Sequence, residues 1–319
     1  MRVAVAGVNG IGKHHAKWHH LAGAEVVAFL GSSEVSCATG AEALRAIFPF
    51  TGRGYSDFGA LLESEKPDIV DICLPNELHF EYGKMALNHG CHVLCEKPLV
   101  WGLEGDPEGL VAQGRELVDL AGRLELRLGM CSQYASAISH YKRLHEACYG
   151  PMQAPATFYA EMDTLARGRQ RSPEEIWIDM GPHPLSLLLA WMPHGVIRSE
   201  TLDVSFNTGQ AHTHFTFFDP TQEQACECEV IVRDLAEGKP QRRFGINDFI
   251  VDCEGRADET GAYRCVLRAG ANEDMGDDFM ALHIGQFLAC VEDPRLDLLV
   301  PGEIGVRSIE LQLQILQRA

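Results

Sequence analysis

The tripeptide Glu96-Lys97-Pro98 places a lysine directly after an apolar segment, 91–95, that is predicted to be a buried strand. Near low-dielectric protein an ammonium group loses its charge more readily than in water. A lysine in that position can exchange a proton with a bound substrate. The same tripeptide also occurs in ordinary surface turns, so it does not establish a catalytic role by itself.

A second candidate for acid–base chemistry lies near the middle of the chain, in Asp179-Met180-Gly181-Pro182-His183. Asp179 and His183 are four residues apart and would share one face of a helix. A carboxylate that holds an imidazole fixes its tautomer and raises its basicity, which suits a general acid or base. From spacing alone, an N-cap aspartate and a packed histidine are slightly favoured over this pairing.

The first predicted helix contains His14, His15, His19 and His20. The spacing of His15 and His19 could place two metal ligands on one helix face. A metal site would need further ligands, and we find no acid or thiol near these histidines in the sequence that would complete the set. We therefore expect solvated histidines, one of them near the phosphates of a cofactor, and we predict no metal site.

A glycine-rich segment, Gly7-Val8-Asn9-Gly10-Ile11-Gly12, follows a predicted strand over 2–6 and precedes a helix that ends at Leu21. In this context such a turn binds a dinucleotide, because the helix N-terminus presents free amides to the pyrophosphate. An ordinary strand–helix turn is the less favoured alternative. The residues predicted to contact the cofactor here are Gly7, Asn9, Gly10, Ile11 and Gly12, with Asn9 at the place of the fingerprint's second glycine.

The segment Gly31-Ser32-Ser33 follows the second predicted strand, 25–30. Sites that prefer NAD usually have an acid here, which binds the ribose hydroxyls. That acid is absent, which removes repulsion against a 2′-phosphate, and Ser32 and Ser33 could donate hydrogen bonds to it. The cofactor is expected to be NAD or NADP, with a slight preference for NADP.

These residues are positioned by alternating strands and helices, which predict a doubly wound parallel sheet over residues 1–123. Ligands of such sheets bind at the carboxyl ends of the strands. The further predicted elements are helices 41–48, 58–65, 77–88 and 107–121 and strands 68–74, 91–95 and 124–130. Leu74, Pro75, Asn76, His79, Glu96 and Lys97 all fall at or just after strand ends, so they can share one crevice with the glycine turn.

Residues 124–319 are predicted to form an α+β domain with a large open, mainly antiparallel sheet, whose last helix can pack back on the first domain. An open sheet face is a natural interface, so a homodimer or homotetramer through this sheet is expected. The predicted strands are 156–162, 202–207, 212–218, 226–232, 249–253 and 263–267, and the predicted helices are 133–148, 184–191, 278–290 and 303–316.

Composition excludes several other classes of protein. The net charge of -18 argues against nucleic acid or an anionic membrane as a partner. The 11 cysteines are scattered and form no pair of Cys-x-x-Cys knuckles, which favours free thiols in a reducing cytosol. We find neither a signal-peptide pattern nor an apolar stretch long enough to span a bilayer, so a cytoplasmic location is expected.

Taken together, these segments resemble the glucose-fructose oxidoreductase/inositol dehydrogenase (Gfo/Idh/MocA) family. The match is close in the N-terminal half and looser in the C-terminal half. The segments that carry it are the glycine turn with His14-His15, the run from Asp68 to Asn76 with His79, the run from Gly90 to Leu99, and the Asp179–His183 motif.

The resemblance implies a Rossmann domain, a second domain with an open sheet, and hydride transfer between a nicotinamide and a hydroxyl or carbonyl carbon of a sugar, polyol or related molecule. It implies that Lys97 contacts the reacting oxygen and the nicotinamide ribose region of the cofactor, that His183 donates or accepts the proton, and that Asp179 orients substrate or His183. It also places Leu74, Pro75, Asn76, His79 and Glu96 around the nicotinamide, and Gln133 and Tyr134 near the substrate.

Two functions remain open from the sequence. The leading hypothesis is an NAD(P)-dependent dehydrogenase or reductase that acts on a CH–OH group of a small molecule. The alternative is a sensor or regulator on the same fold that binds the dinucleotide without turnover. The joint presence of Lys97, Asp179 and His183 favours the enzyme.

Overall fold

The computed structural model describes residues 1–102, 106–259 and 263–319. The chain forms two compact units. The first comprises Met1–Cys131 and Met280–Val306, and the second comprises Ser132–Phe279 and Arg307–Ala319. No helix in these described ranges is long and apolar enough to cross a membrane.

The first unit contains alternating strands and helices. Its strands are β1 (Arg2–Ala6), β2 (Glu25–Leu30), β3 (Arg53–Tyr55), β4 (Ile69–Ile72), β5 (His92–Glu96) and β6 (Leu128–Cys131), and its helices are α1 (Gly12–Leu21), α2 (Glu34–Arg45), α3 (Phe58–Glu65), α4 (His79–Asn88) and α5 (Pro107–Arg123).

Within the described residues, the first sheet has six strands in the order β3-β2-β1-β4-β5-β6, and neighbouring strands are parallel. The chain leaves β1 toward β2 on one side and returns to β4 on the other. The carboxyl end of β1 is therefore the topological switch point, where open α/β sheets bind their ligands. All residues of β4 are buried, as expected for a parallel sheet covered on both faces.

The second unit is built on a large sheet. Its strands are β7 (Thr157–Leu165), β8 (Val196–Ile197), β9 (Asp203–Asn207), β10 (Gln210–Asp219), β11 (Gln224–Leu235), β12 (Arg242–Ile246), β13 (Phe249–Ala257), β14 (Tyr263–Ala269) and β15 (Asn272–Asp277). Its helices are α6 (Ala137–Tyr149), α7 (Pro173–Met180) and α8 (Pro182–Trp191).

The order in this sheet is β15-β14-β13-β12-β7-β11-β10-β8, with β9 also paired to β10. β7 and β11 are parallel, and the other pairs of described strands are antiparallel. Side chains alternate between the faces, so that Cys226, Cys228, Val230 and Val232 of β11 are fully buried while Glu227, Glu229, Ile231 and Arg233 lie on the other face. The predicted fold class, a Rossmann sheet followed by a mainly antiparallel sheet, is confirmed.

Two further helices close the chain, α9 (Phe279–Glu292) and α10 (Gly302–Leu316). Met280 to Glu292 and the first turn of α10 belong to the first unit, and the rest of α10 belongs to the second. The boundary predicted after residue 123 lies before β6. β6 pairs with β5 in the first sheet, so the first unit continues to Cys131.

Several predicted elements have different bounds in the structure. Helix 41–48 is in fact α2, which begins at Glu34 because the Ser33 side chain accepts a hydrogen bond from the Ser36 amide and caps it. Helix 133–148 is a 3₁₀ turn, Gln133–Ser136, followed by α6. The elements that the sequence pattern did not indicate are β3, β8, β12, β15 and α7.

Candidate active site

The glycine turn lies at the switch point of the first sheet. Gly7 has a φ of +92°, and a Cβ there would lie 2.7 Å from the carbonyl oxygen of Cys73. A Cβ on Gly12 would lie 1.9 Å from the carbonyl oxygen of Gly7, so a side chain at Gly12 would force the turn open. By contrast, a Cβ on Gly10 would have no neighbour within 4 Å. The turn therefore has an open side at Gly10 and a tightly packed side at Gly12.

The N-terminus of α1 is suited to an anion. Ile11 is its N-cap residue and makes no capping hydrogen bond with its side chain. The first amides of α1 therefore remain as donors, and the positive end of the helix dipole lies with them. Asn9 donates from Nδ2 to Ser36 Oγ at 3.3 Å, which ties the turn to α2. These features fit a dinucleotide pyrophosphate.

The residues after β2 occupy the place where an acid commonly binds ribose. A Cβ on Gly31 would lie 3.0 Å from Cys37 Sγ and 3.1 Å from Ser36 Oγ, so a larger side chain would be crowded. Ser33 caps α2, which uses its oxygen as an acceptor. Ser32 is exposed beside it. Two serines were predicted to contact the cofactor. Of these, Ser33 caps α2, and Ser32 is exposed.

The segment after β4 carries Leu74, Pro75, Asn76 and His79. Pro75 precedes a 3₁₀ turn over Asn76–Leu78, and His79 begins α4. The His79 ring lies between two carbonyl oxygens, with Nδ1 2.8 Å from Pro98 and Nε2 2.9 Å from Leu74. Burial lowers the pKa of His79 against the opposing effect of both carbonyls. The ring is therefore neutral at pH 7 and donates to one carbonyl at a time, which joins this segment to the residues after β5.

Glu96 ends β5, and Lys97 follows it at the same edge of the sheet. The Lys97 amide donates to Glu96 Oε2 at 3.2 Å. The peptide bond between Lys97 and Pro98 is cis. Because β4 and β5 are parallel neighbours next to β1, Lys97 shares the carboxyl edge of the sheet with Pro75, Asn76 and the glycine turn.

A buried charged network lies beneath this edge. His15 Nδ1 is 2.9 Å from Asp71 Oδ2, His15 Nε2 is 3.0 Å from Glu96 Oε1, and His19 Nε2 is 2.7 Å from Asp71 Oδ2. The prediction that His15 and His19 are solvated is wrong, since both are 0% exposed. The sequence did contain a signal of this network. Asp71 lies within the apolar segment Ile69–Ile72, and a buried carboxylate needs partners.

Atoms that could hold a metal occur in this network. Among the described residues, two groups qualify by distance: His15 with Asp71 and Cys73, and His15 with Glu96 and Cys131. Both groups share His15, and both ring nitrogens of His15 lie at hydrogen-bond distance from carboxylates. The network is therefore accounted for by hydrogen bonds between charged groups.

The second unit holds the Asp179–His183 motif. Asp179 lies near the end of α7 and His183 in the first turn of α8, so the two residues are on successive helices and not on one helix face. Asp179 Oδ2 accepts from Arg171 Nη1 at 2.6 Å, and Arg171 also pairs with Asp234. Arg171, which belongs to a basic loop in the sequence, therefore fixes the Asp179 carboxylate.

His183 is 8% exposed. Its Nδ1 lies 3.5 Å from Ser132 Oγ, which is 2.7 Å from Ser186 Oγ. The ring of Tyr134 packs edge-on against the imidazole, with centroids 5.1 Å apart. Burial raises the pKa of Tyr134, so its phenol stays neutral. Of the two predicted substrate residues, Tyr134 is buried against His183, and Gln133 begins the preceding 3₁₀ turn and is half-buried.

A model of a known protein family matches the N-terminal part of the chain. Residues 1–131 match the family model for the Gfo/Idh/MocA oxidoreductases, described as an oxidoreductase family with an NAD-binding Rossmann fold. The resemblance seen in the sequence is therefore confirmed by a family model over residues 1–131.

Curated relatives match over part of their length. The chain is 43% identical to D-glucoside 3-dehydrogenase of Escherichia coli over 70 residues, which are 22% of this chain and 18% of that protein. It is 30% identical to UDP-N-acetylglucosamine 3-dehydrogenase of Acidithiobacillus ferrooxidans over 194 residues, 59% and 53% of the two chains. The matched regions thus span less than two thirds of these relatives.

Solved structures match along the whole chain. UDP-N-acetylglucosamine 3-dehydrogenase from Acidithiobacillus ferrooxidans has a TM-score of 0.71 at 20% identity and covers 100% of this chain and 97% of its own. An oxidoreductase from Agrobacterium radiobacter, solved in complex with NAD+, L-tartaric acid and magnesium, has a TM-score of 0.70 at 13% identity and covers 100% and 96%. At these identities the likeness establishes the fold.

Proposed function

We propose that the protein is an NAD(P)-dependent dehydrogenase or reductase that acts on a CH–OH or carbonyl carbon of a sugar, polyol or related small molecule. The observation that carries the proposal is the shared carboxyl edge of the first sheet, where the open glycine turn lies at the switch point and Lys97 follows β5. The match of residues 1–131 to an NAD-binding oxidoreductase family supports the cofactor class. The similarity to D-glucoside 3-dehydrogenase and UDP-N-acetylglucosamine 3-dehydrogenase supports the substrate class.

In this proposal a bound nicotinamide accepts or supplies the hydride. The Lys97 ammonium stabilises negative charge that develops on the reacting oxygen. The His183 imidazole takes or returns the hydroxyl proton, and Ser132 and the edge of Tyr134 orient its ring. Asp179, fixed by Arg171, orients the substrate.

A Lys97→Ala variant tests the central assignment. It should bind NAD(H) or NADP(H) within about threefold of the native affinity, while turnover falls by about 100-fold or more because the oxyanion loses its positive partner. Turnover is measured by absorbance at 340 nm with a panel of sugars, polyols and sugar acids. Lys84→Ala is the matched control, because Lys84 makes an exposed ion pair with Glu116 and such pairs contribute little.

Near-native turnover in Lys97→Ala would refute the assignment of Lys97. Tight dinucleotide binding by the native protein, with no reduction or oxidation across the whole panel, would instead favour the sensor. A full loss of cofactor affinity in Lys97→Ala would show that the lysine serves binding and not the chemical step.

A further inference from the structure

His15 lies between two carboxylates in the interior of the first unit. Its Nδ1 is 2.9 Å from Asp71 Oδ2 and its Nε2 is 3.0 Å from Glu96 Oε1. The side chains of His15 and Asp71 are fully buried, and that of Glu96 is 13% exposed. An ionised carboxylate can only accept hydrogen bonds, so both ring nitrogens must carry hydrogen for both contacts to form.

His15 is surrounded by groups from α1, from the carboxyl ends of β4, β5 and β6, and from α9. His19 Nε2 donates to Asp71 Oδ2 at 2.7 Å, Cys73 Sγ lies 3.5 Å from Asp71 Oδ1, and Cys131 Sγ lies 4.0 Å from His15 Nε2. Burial raises the pKa of Cys131 to about 12, so it remains a thiol. On α9, burial and then the charge of His15 lower the pKa of His283 to about 4, so His283 is neutral.

The series Glu96, His15, Asp71 and His19 has the form of a proton relay, but its energetics favour a fixed charge. Burial is the largest single effect on His15 and lowers its pKa, but the attraction of Asp71, its hydrogen bond and the other neighbouring groups together raise the pKa well above the ordinary value. For Asp71, burial is the largest single effect and raises the pKa, but the His15 charge and the hydrogen bonds from His15 and His19 together lower it. A proton relay needs groups of similar proton affinity. Here the proton stays on His15 and does not pass to Asp71.

We propose that His15 is a positioning residue, whose imidazolium is held by Asp71 and fixes the Glu96 carboxylate that accepts the Lys97 amide. Glu96 uses Oε1 toward His15 and Oε2 toward the Lys97 amide at 3.2 Å. The contact also joins the helix after the glycine turn to the strand end before Lys97. This inference rests on the proposed function in one respect, since it assigns importance to Lys97.

The first test reads the protonation of His15 directly and needs no turnover. In protein labelled with ¹⁵N-histidine, long-range ¹H–¹⁵N spectra should show both ring nitrogens of His15 protonated from pH 6 to pH 9. The His15→Gln variant assigns the signals, and His283 serves as an internal reference with one protonated nitrogen over the same range. A single protonated nitrogen on His15, or stoichiometric Zn²⁺ binding that shifts both nitrogens, would overturn the proposal.

The second test reads the position of Lys97. In His15→Gln, amide exchange measured by mass spectrometry should speed up about tenfold in the peptide that contains Lys97, with little change in β2 and β3. His20→Gln is the control, because His20 lies on the same helix but stacks on Phe48. Unchanged exchange at Lys97 would overturn the positioning role even if Lys97 proves catalytic. Should His15→Gln fail to fold, His15→Asn replaces it in both tests, with the same expected results.

Discussion

At the scale of single residues, the two glycines on either side of Ile11 have opposite surroundings. A Cβ at Gly12 would lie 1.9 Å from the carbonyl oxygen of Gly7, so the fold itself requires glycine there. A Cβ at Gly10 would meet open space. The absence of a side chain at Gly10 therefore matters only for a molecule that approaches the backbone from outside.

A Gly10→Ala variant should weaken NAD(H) and NADP(H) binding by about tenfold or more, because the methyl group lies where a pyrophosphate must approach the turn. The melting temperature should stay within about 2 °C of native, since the methyl group contacts no protein atom. Fluorescence titration and calorimetry measure the two quantities.

Gly122→Ala is the matched control for Gly10→Ala. A Cβ on Gly122 would also have no neighbour within 4 Å, but this residue lies on α5, away from the glycine turn. Its substitution should leave both quantities near native. Native affinity in Gly10→Ala would remove the glycine turn from the cofactor site.

The position of a single residue could be predicted from the sequence where that residue belongs to a local motif. The glycine turn and Lys97 are local motifs, and the structure places both at the predicted sheet edge. The contacts of His15 join residues 56 and 81 positions apart, so spacing within one helix could not reveal them. Arg171 was visible as a basic residue, but its pairing with Asp179 depends on how the loop before α7 folds.

At the scale of elements, the turn from β2 to α2 bears on the choice between NAD and NADP. Ser33 caps α2, Gly31 is packed against Cys37, and Ser32 is exposed between them. No carboxylate lies within this turn, Gly31-Ser32-Ser33. We propose a slight preference for NADP, because the turn offers a hydroxyl and no charge that would repel the 2′-phosphate.

A Ser32→Asp variant should lower the affinity for NADP by about tenfold and leave or improve that for NAD, because the new carboxylate repels a phosphate and can bind ribose hydroxyls. The dissociation constants of both cofactors are measured for native protein and variant. Ser64→Asp on α3 adds the same charge to the same unit at another exposed position and should not change the ratio. An unchanged ratio in Ser32→Asp would place the discrimination elsewhere.

Elements were predictable where apolar spacing coincides with a cap or a buried run. The helix predicted over 58–65 has the observed bounds, with Asp57 as its cap. The helix predicted over 41–48 was placed too late, because its N-terminus is set by the Ser33 cap and not by apolar spacing. β15, with the sequence Asn-Glu-Asp-Met-Gly-Asp, has no apolar alternation and forms only because β14 offers its edge.

At the scale of the whole molecule, the net charge of -18 opposes self-association unless the interface itself is nearly neutral. On the outward face of the second sheet, several charged groups are paired with one another. Glu161 and Asp163 on β7 both pair with Arg233 on β11, and Arg243 on β12 also approaches Glu161 at 3.6 Å. Half-buried Tyr159 and Ile231 lie among these pairs. A second copy that covers the area around Arg233 would therefore bury these acids as ion pairs, while Glu229 and Glu227 on the same face of β11 bond to His212 and Thr216.

We propose that the protein forms a homodimer or homotetramer through this face. Sedimentation equilibrium should then give a mass of two or four times 35.2 kDa at micromolar concentration. Ile231→Asp should shift the mass to that of one chain, because a carboxylate next to Glu161 would be buried without a partner. Val35→Asp adds the same charge at a residue of α2 that is 77% exposed and should leave the mass unchanged. A native mass of 35.2 kDa, or an assembly that Ile231→Asp does not weaken, would contradict an interface on this face.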